Sequence, residues 1–232
     1  RPEYLPPASF SLVTQTKYKG IQRGVFSFCM CPGGFIVPSA TAQNQVVVNG
    51  MSPSRRDSKY ANSGIVVSIA PEDFKDYQDY GVLAGMHLQE DLEQNAHKLV
   101  GNTQKAISQL TGEFIKQKTS HSVNETSYIP GLVAGDIRSF IPDFISEPLS
   151  LGLQDFDRKI KNFSSNLGQL IGLESRTSSP VKIPRDPITL EHPEVAGLYP
   201  CGEGAGYAGG IMSAAIDGIR CADAIRTKLK HA

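Results

Sequence analysis

The chain has 232 residues, of which 40% are hydrophobic and 20% are charged, and this composition is typical of a folded chain with a sizeable core rather than a disordered one. Lys and Arg together number 23, as do Asp and Glu, so the formal net charge is zero and binding to nucleic acid through overall charge is disfavoured. No apolar stretch reaches the roughly 18 residues that a membrane-spanning helix needs.

The cysteines and the first residues suggest the setting of the protein. Four cysteines, at positions 29, 31, 201 and 221, are too few for a disulfide scaffold in a chain of this length. We therefore expect reduced thiols in a cytoplasmic protein. Cys29 and Cys31 lack a second pair of ligands, so no metal site is predicted, and a redox dithiol is the alternative. The start, Arg1 to Tyr4, has no initiator Met, and we expect the chain to be a piece of a longer product.

Residues 1–70 are predicted to be rich in β-structure. Side chains alternate from Gly24 to Cys31, which is the period of a half-buried strand. Pro32-Gly33-Gly34 ends that strand, and Phe35–Val37 is predicted to pair back onto it as a hairpin. Two further apolar runs follow, Gln45–Val48 and Gly64–Ala70.

The middle of the chain is predicted to be helical. Apolar residues recur at helical spacing over 85–118, with a break at Gly101-Asn102 and a second helical stretch from Thr103 to Phe114. A further apolar stripe lies within 136–172 and is predicted to end at Gly172 as a C-terminal cap.

The end of the chain has a different pattern. A proline-rich connection, Pro184–Pro193, leads to a short predicted strand, Gly197–Cys201. A glycine-rich segment follows, and then an apolar helix from Ile211 to Leu229, whose closing lysines suit the helix dipole. The predicted fold class is α+β: a mixed, mainly antiparallel sheet with helices, followed by a C-terminal strand, glycine-rich turn and helix.

The glycine-rich segment is the strongest functional signal. Five glycines occur between positions 202 and 210, and glycine costs backbone entropy, so a ligand close to the backbone is one explanation. The following helix N-terminus favours a phosphate or another group with negative charge. The segment is not a Walker A loop. A tight turn without a ligand is the alternative.

Several segments resemble a known family. GLYPCGEGAGYAGGIMSAAIDGIRCADAI resembles the C-terminal flavin-binding segment of FAD-dependent oxidoreductases of the two-dinucleotide-binding-motif class. Four further blocks are similar, in family order, to an uncharacterised bacterial FAD-dependent dehydrogenase family: FSFCMCPGG (26–34), NGMSPSRRD (49–57), ANSGIVV (61–67) and ESRTSSPVKI (174–183).

The resemblance implies a cofactor and a domain division. Residues 1–173 would form a cap or substrate domain, and 174–232 would be the C-terminal piece of an FAD-binding α/β domain whose GxGxxG part is absent here. Glu203 would contact the ribityl chain, and the amides at 210–212 would face the flavin's pyrimidine edge. The implied cofactor-binding residues are Gly202, Glu203, Gly204, Gly206, Gly209, Gly210, Ile211 and Met212. We expect this chain alone to bind FAD weakly or not at all.

Catalytic residues and substrate are less defined. The candidates are Cys29 and Cys31 as a dithiol near the flavin, and Arg176 and Ser178 as contacts to a small-molecule substrate or the flavin. The alternatives are buried thiols and a loop that satisfies its own backbone. The exposed loop 55–57 could bind an anionic substrate. Two other functions stay open: a non-catalytic module that binds a small ligand or peptide, and a flavin reductase acting on a prenyl-like apolar substrate.

Overall fold

The computed structural model describes residues 12–230, which divide into two compact units. Unit 1 contains the chain up to Asp73 and the range Glu90–Ser175, and unit 2 contains Phe74–Gln89 and the chain from Arg176 onward. The two units separate between Ser175 and Arg176, and Phe74–Gln89 belongs to unit 2; the domain boundary at residue 173 stays a prediction. The assignment of unit 1 to a cap and of unit 2 to a flavin domain stays a prediction.

The described residues form short strands and longer helices. The strands are β1 (Leu12–Tyr18), β2 (Ile21–Cys31), β3 (Phe35–Pro38), β4 (Val48–Met51), β5 (Asn62–Val67), β6 (Ala106–Leu110), β7 (Leu132–Ala134) and β8 (Gln169–Gly172). The α-helices are α1 (Ala84–Leu99), α2 (Thr111–Ile115), α3 (Asp143–Lys159) and α4 (Ile211–Lys230).

The first sheet of unit 1 is antiparallel, in the order β1-β2-β5. The alternation predicted for β2 is confirmed from Val25 to Phe28, since Val25 and Ser27 are buried while Phe26 is exposed, but it breaks at Cys29, which is exposed. Helix α3 packs against β1 and β2, and a β-carbon on Gly152 of this helix would come within 2.5 Å of the Val25 side chain. The helix backbone therefore lies directly on the strand.

The second sheet pairs β3 with β4, so the predicted hairpin between Phe35–Val37 and β2 is wrong. The amide of Gly34 donates to the carbonyl of Tyr60 at 2.9 Å, and the hydroxyl of Ser58 donates to the carbonyl of Gly34 at 2.6 Å. These bonds tie the turn after β2 to residues 58–60. The residues after this turn, Phe35–Pro38, therefore pair with β4 and not with β2.

The third sheet has the order β7-β6-β8, and it corrects two helical predictions. The stretch predicted as a second helix from Thr103 to Phe114 is helical only from Thr111 onward, in α2; its centre is β6, which pairs with β7 in parallel and with β8 in antiparallel fashion. Ala106 and Gln109 are both 0% exposed, and a run buried on all sides has no period that separates strand from helix. Gly172, predicted as a helix cap, is the last residue of β8.

The core of unit 1 lies between the sheets and the helices α2 and α3. Its largest members, Phe114 and Phe156, are 0% exposed, as is Val25 of the first sheet. Phe156 also meets Phe163 edge to face, with ring centroids 5.8 Å apart. Phe163, in a stretch predicted as helix, therefore packs on the core after α3 has ended.

The C-terminal helix is confirmed, because α4 covers Ile211–Lys230. The predicted strand at Gly197–Cys201 is not formed, since the carbonyl of Pro200 accepts a hydrogen bond from Arg185 at 2.8 Å instead of pairing in a ladder. The α+β class is confirmed by the small, mainly antiparallel sheets with helices. None of the helices between residues 12 and 230 combines the length and the apolar character that crossing a membrane requires.

Candidate functional site

Three sequence blocks meet in unit 1 through glycines. Gly33 has a φ of +53°, and a β-carbon on it would overlap the carbonyl of Arg56 and lie 2.7 Å from the amide nitrogen of Asp57. A β-carbon on Gly50 would overlap the side-chain oxygen of Asn62. Glycine at both positions therefore allows direct packing between these segments. We call this place the unit 1 junction; it consists of Gly33, Gly50, Asn62, Gly64 and Glu174.

The unit 1 junction contains two buried polar groups. The Nδ2 atom of Asn62 is buried and has no hydrogen-bond partner among the described residues. The Oε2 atom of Glu174 lies against Gly64, 2.8 Å from the position of a β-carbon there. Burial raises the pKa of Glu174 above its ordinary value. The junction thus offers an amide donor and a carboxyl group that keeps its proton to higher pH than an exposed glutamate does.

We expect Glu174→Gln to stabilise the protein increasingly as the pH rises. The pKa of Glu174 is higher in the folded than in the unfolded chain, so above about pH 4.5 the unfolded chain releases the proton first and the wild type loses stability. Urea unfolding between about pH 4 and about pH 8 measures the difference in the free energy of unfolding. Glu72→Gln, at an exposed position of unit 1, is the control. A pH-independent advantage of Glu174→Gln would contradict the burial of this carboxyl group.

Cys29 and Cys31 are set apart by an irregularity in β2. The pairing of β2 with β5 shifts between Phe28 and Cys31, and Cys29 has a φ of +48°, which is rare outside glycine. In a regular strand both cysteines would share a face, yet Cys29 is exposed, while Cys31 is buried and donates its thiol to the carbonyl of Cys29 at 3.1 Å. Their role as a dithiol stays a prediction. Across residues 12–230, no three His, Cys, Asp or Glu side chains are grouped to hold a metal ion.

The other catalytic candidates lie in loops. Arg176 and Ser178 are exposed in the segment that follows β8. Next to them, Ser179 donates its hydroxyl to the carbonyl of Val181 at 2.7 Å, which is the local backbone bonding that serines readily make. Arg55 and Arg56 are exposed as well. The role of each toward a substrate stays a prediction.

In unit 2 the glycine-rich segment (residues 202–210) is anchored by a buried ion pair. Arg185 donates two hydrogen bonds to Asp217 of α4, at 2.7 and 2.9 Å, and the two side chains are 8% and 7% exposed. Asp217 also accepts a bond from the amide of Gly202 at 2.9 Å. The pairing with Arg185 lowers the pKa of Asp217. One carboxylate thus joins α4, the start of the glycine-rich segment and the preceding loop.

Gly206 is required for packing within unit 2. It has a φ of +82°, and a β-carbon on it would lie 2.7 Å from the carbonyl of Val181. The next residue, Tyr207, donates its hydroxyl to the carbonyl of Ile183 at 2.8 Å, and the guanidinium of Arg185 lies 3.6 Å from the centre of its ring. Close packing therefore accounts for this glycine without any ligand.

Gly204 and Gly209 have no such packing role among the described residues. No heavy atom of the described chain lies within 4 Å of a β-carbon built on either residue, and neither has a positive φ. Both are exposed, and Glu203 beside Gly204 is half-buried. Since glycine costs backbone entropy, two glycines with open surroundings fit a flat group that lies against the backbone. The residues present are therefore compatible with a flavin at this segment.

Helix α4 begins directly after this open stretch. The amide of Ala214 donates to the carbonyl of Gly210 at 2.9 Å, so the amides before it belong to the first turn, which has no helical acceptors. Ile211 and Met212 in this turn are 84% and 72% exposed. The turn can therefore donate hydrogen bonds to a group with partial negative charge.

Beyond its first turn, α4 exposes apolar side chains. Ile216 and Ile219 are 51% and 64% exposed, so the helix presents apolar surface. Only Asp217 and Cys221 of the helix are buried. The helix is thus held to the rest of unit 2 along one narrow line.

Sequence reasoning missed the ion pair that orders this region. Arg185 lies in the proline-rich connection, and Asp217 is the one acidic residue among the first twelve of an otherwise apolar helix. A carboxylate on the buried face of a helix needs a cation close to it. Asp217 among apolar residues was therefore the sequence signal for an ion pair.

Comparison with known sequences gives the class of the protein. Residues 1–177 match the family described as "FAD-dependent protein, C-terminal domain-like", and the chain belongs to this family. An uncharacterized protein of Clostridium beijerinckii (strain ATCC 51743 / NCIMB 8052) is 44% identical over 226 residues, which are 97% of this chain and 41% of the relative. The chain thus spans about two fifths of the curated relative that it matches. The family match ends at Thr177, before the glycine-rich segment.

Proposed function

We propose that the chain is the C-terminal part of an FAD-dependent oxidoreductase, a dehydrogenase, in which residues 202–212 contact the flavin. Membership of a family of FAD-dependent proteins supports the cofactor. The observation that carries the proposed contact is the open space at Gly204 and Gly209, directly before the first turn of α4.

The proposed roles follow from the chemistry of each group. The carboxylate of Glu203 accepts hydrogen bonds from ribityl hydroxyls, and the missing side chains at Gly202 and Gly204 let the backbone approach. The amides of Ile211 and Met212 donate to the pyrimidine edge, where the helix dipole favours negative charge. Flavin, when bound, supplies the hydride or electron transfer, and these residues orient it and tune its charge.

In this proposal the affinity for FAD depends on more than this chain. The resemblance puts the N-terminal βαβ unit that holds the ADP half of FAD outside these 232 residues, and the matched relative is more than twice as long. The full-length protein is therefore the material for the test. The isolated chain is expected to bind FAD weakly or not at all.

We expect Gly204→Val and Gly209→Val in the full-length protein to raise the Kd for FAD by about tenfold or more. No described heavy atom lies within 4 Å of a β-carbon at either position, so the start of the new side chain meets no clash and we expect the fold to be kept. The Kd is measured by flavin fluorescence after FAD is removed and titrated back, and the folded state is monitored by circular dichroism.

Gly218→Val is the matched control, because Gly218 of α4 also has no described atom within 4 Å of its β-carbon position but lies outside the proposed contacts. An unchanged Kd in Gly204→Val and Gly209→Val would reject the contact at this segment. A full-length protein that is colourless and stays colourless with added FAD would reject the flavoprotein assignment. The non-catalytic binding module would then be the better explanation.

A further inference from the structure

The backbone around Cys201 is fixed on both sides. Before it, the carbonyl of Pro200 accepts a 2.8 Å hydrogen bond from the Nη1 atom of Arg185. After it, the amide of Gly202 donates a 2.9 Å hydrogen bond to Asp217 of α4. These two bonds hold Cys201 against the buried line of α4, although its own side chain is exposed.

Cys221 lies at the same place, one helical turn after Asp217. Its Sγ atom lies 3.5 Å from the same Nη1 atom of Arg185, which also donates to the carbonyl of Pro200, the residue before Cys201. Cys221 is 4% exposed. Burial raises the pKa of Cys221, and the charge of Arg185 acts in the opposite direction. One guanidinium nitrogen thus lies against both Cys221 and the backbone next to Cys201, so an exposed and a buried cysteine are neighbours beside a fixed positive charge.

We propose that Cys201 and Cys221 form a dithiol site that reacts reversibly with small-molecule disulfides such as oxidised glutathione. The thiolate of Cys201 attacks one sulfur of the small disulfide, forms a mixed disulfide and displaces one small thiolate. The thiolate of Cys221 then attacks the Cys201 sulfur, closes the protein disulfide and displaces the second small thiolate. Two protein thiols are oxidised, one disulfide is reduced to two thiols, and these take up the two protons.

The division of roles follows from exposure. Cys201 is open to a reagent in solution, whereas Cys221 can reach only the sulfur of Cys201. The bond would join the residue before the glycine-rich segment covalently to α4. The inference rests on the contacts within unit 2 and not on the proposed flavin site, so either can fail without the other.

The test is peptide mapping of the folded whole chain after exposure to excess oxidised glutathione, acid quenching and alkylation. We expect most molecules to contain a peptide pair joined through Cys201 and Cys221. In Cys221→Ser, Cys201 should keep one glutathione, since no second thiol displaces it. In Cys201→Ser, Cys221 should stay unmodified in the folded protein.

The double variant Cys29→Ser/Cys31→Ser is the matched control, and it should give the same cross-link because that pair lies in unit 1. A wild-type chain that keeps glutathione on Cys201 while Cys221 is alkylated after quenching would overturn the proposal. Failure of both cysteines to react would overturn it as well. The Cys201–Cys221 cross-link is measured in the wild-type chain without any substitution. This test therefore remains valid even if a serine variant does not fold.

Discussion

Asp217→Ala is expected to lower the free energy of unfolding of unit 2 by about 3–5 kcal/mol. The substitution leaves the guanidinium of Arg185, 8% exposed, without its carboxylate, and the amide of Gly202 without its acceptor. A buried charge that loses its partner is among the most destabilising defects in a protein. Urea unfolding followed by circular dichroism measures the loss. Hydrogen exchange of peptides from α4 assigns it to this helix.

Asp223→Ala is the control on the same helix. Asp223 pairs with Arg226 at 3.0 Å, but the two side chains are 58% and 69% exposed, so the expected change is below about 1 kcal/mol. The pKa of Asp217 is lowered by Arg185, so its contribution is present above the ordinary carboxyl pKa and is lost as the pH falls through the lower folded value. The difference in the free energy of unfolding between wild type and Asp217→Ala should therefore become smaller at acid pH. Equal losses in the two variants would refute the anchoring role of Asp217.

Gly33→Ala is expected to cost about 2–5 kcal/mol in the stability of unit 1. The left-handed φ of +53° strains any residue with a β-carbon, and here the methyl group would also overlap the carbonyl of Arg56. The overlapping atoms belong to the backbone, so no side-chain rotation relieves them. The loop that carries Arg56 must move, and the unit 1 junction opens. Urea unfolding at neutral pH gives the change in free energy.

Gly20→Ala separates the two causes. Gly20 has a φ of +85° in the turn between β1 and β2, with no atom within 4 Å of a β-carbon position, so only the conformational strain of about 1–2 kcal/mol applies. The excess loss in Gly33→Ala then measures the contact with the Arg56 backbone. If the two variants lost the same stability, the close packing of the unit 1 junction would be wrong.

How much of the fold the sequence predicts depends on how each element is buried. The strand β2 and the helix α4 are recognisable because each has a local repeat that other segments do not change. The strand β6 is buried on all sides and owes its conformation to β7 and β8, which come much later in the chain. The pairing of β3 with β4 likewise depends on hydrogen bonds between Gly34 and residues 58–60, which no local sequence pattern reveals.

The candidate site also has features that the sequence predicts and features that only the structure shows. The density of glycines marks residues 202–210 from the sequence alone, but only the structure separates Gly206, which packs, from Gly204 and Gly209, which are open. The anchor of the segment joins Arg185 to Asp217, 32 positions apart, and is invisible to motif analysis. The proximity of Cys201 to Cys221 depends on the same anchor, so motif analysis does not reveal it either.

The apolar surface of α4 has a practical consequence for work with this polypeptide. Ile211, Ile219 and Leu229 each present most of their side chain to water, and covering such a side chain is favourable by about 1.5–3 kcal/mol. Two copies that contacted each other through these residues would each gain this free energy. We therefore expect the last helix to contribute to aggregation of the isolated polypeptide, and charged replacements at Ile219 and Leu229, outside the proposed flavin contacts, to lower it.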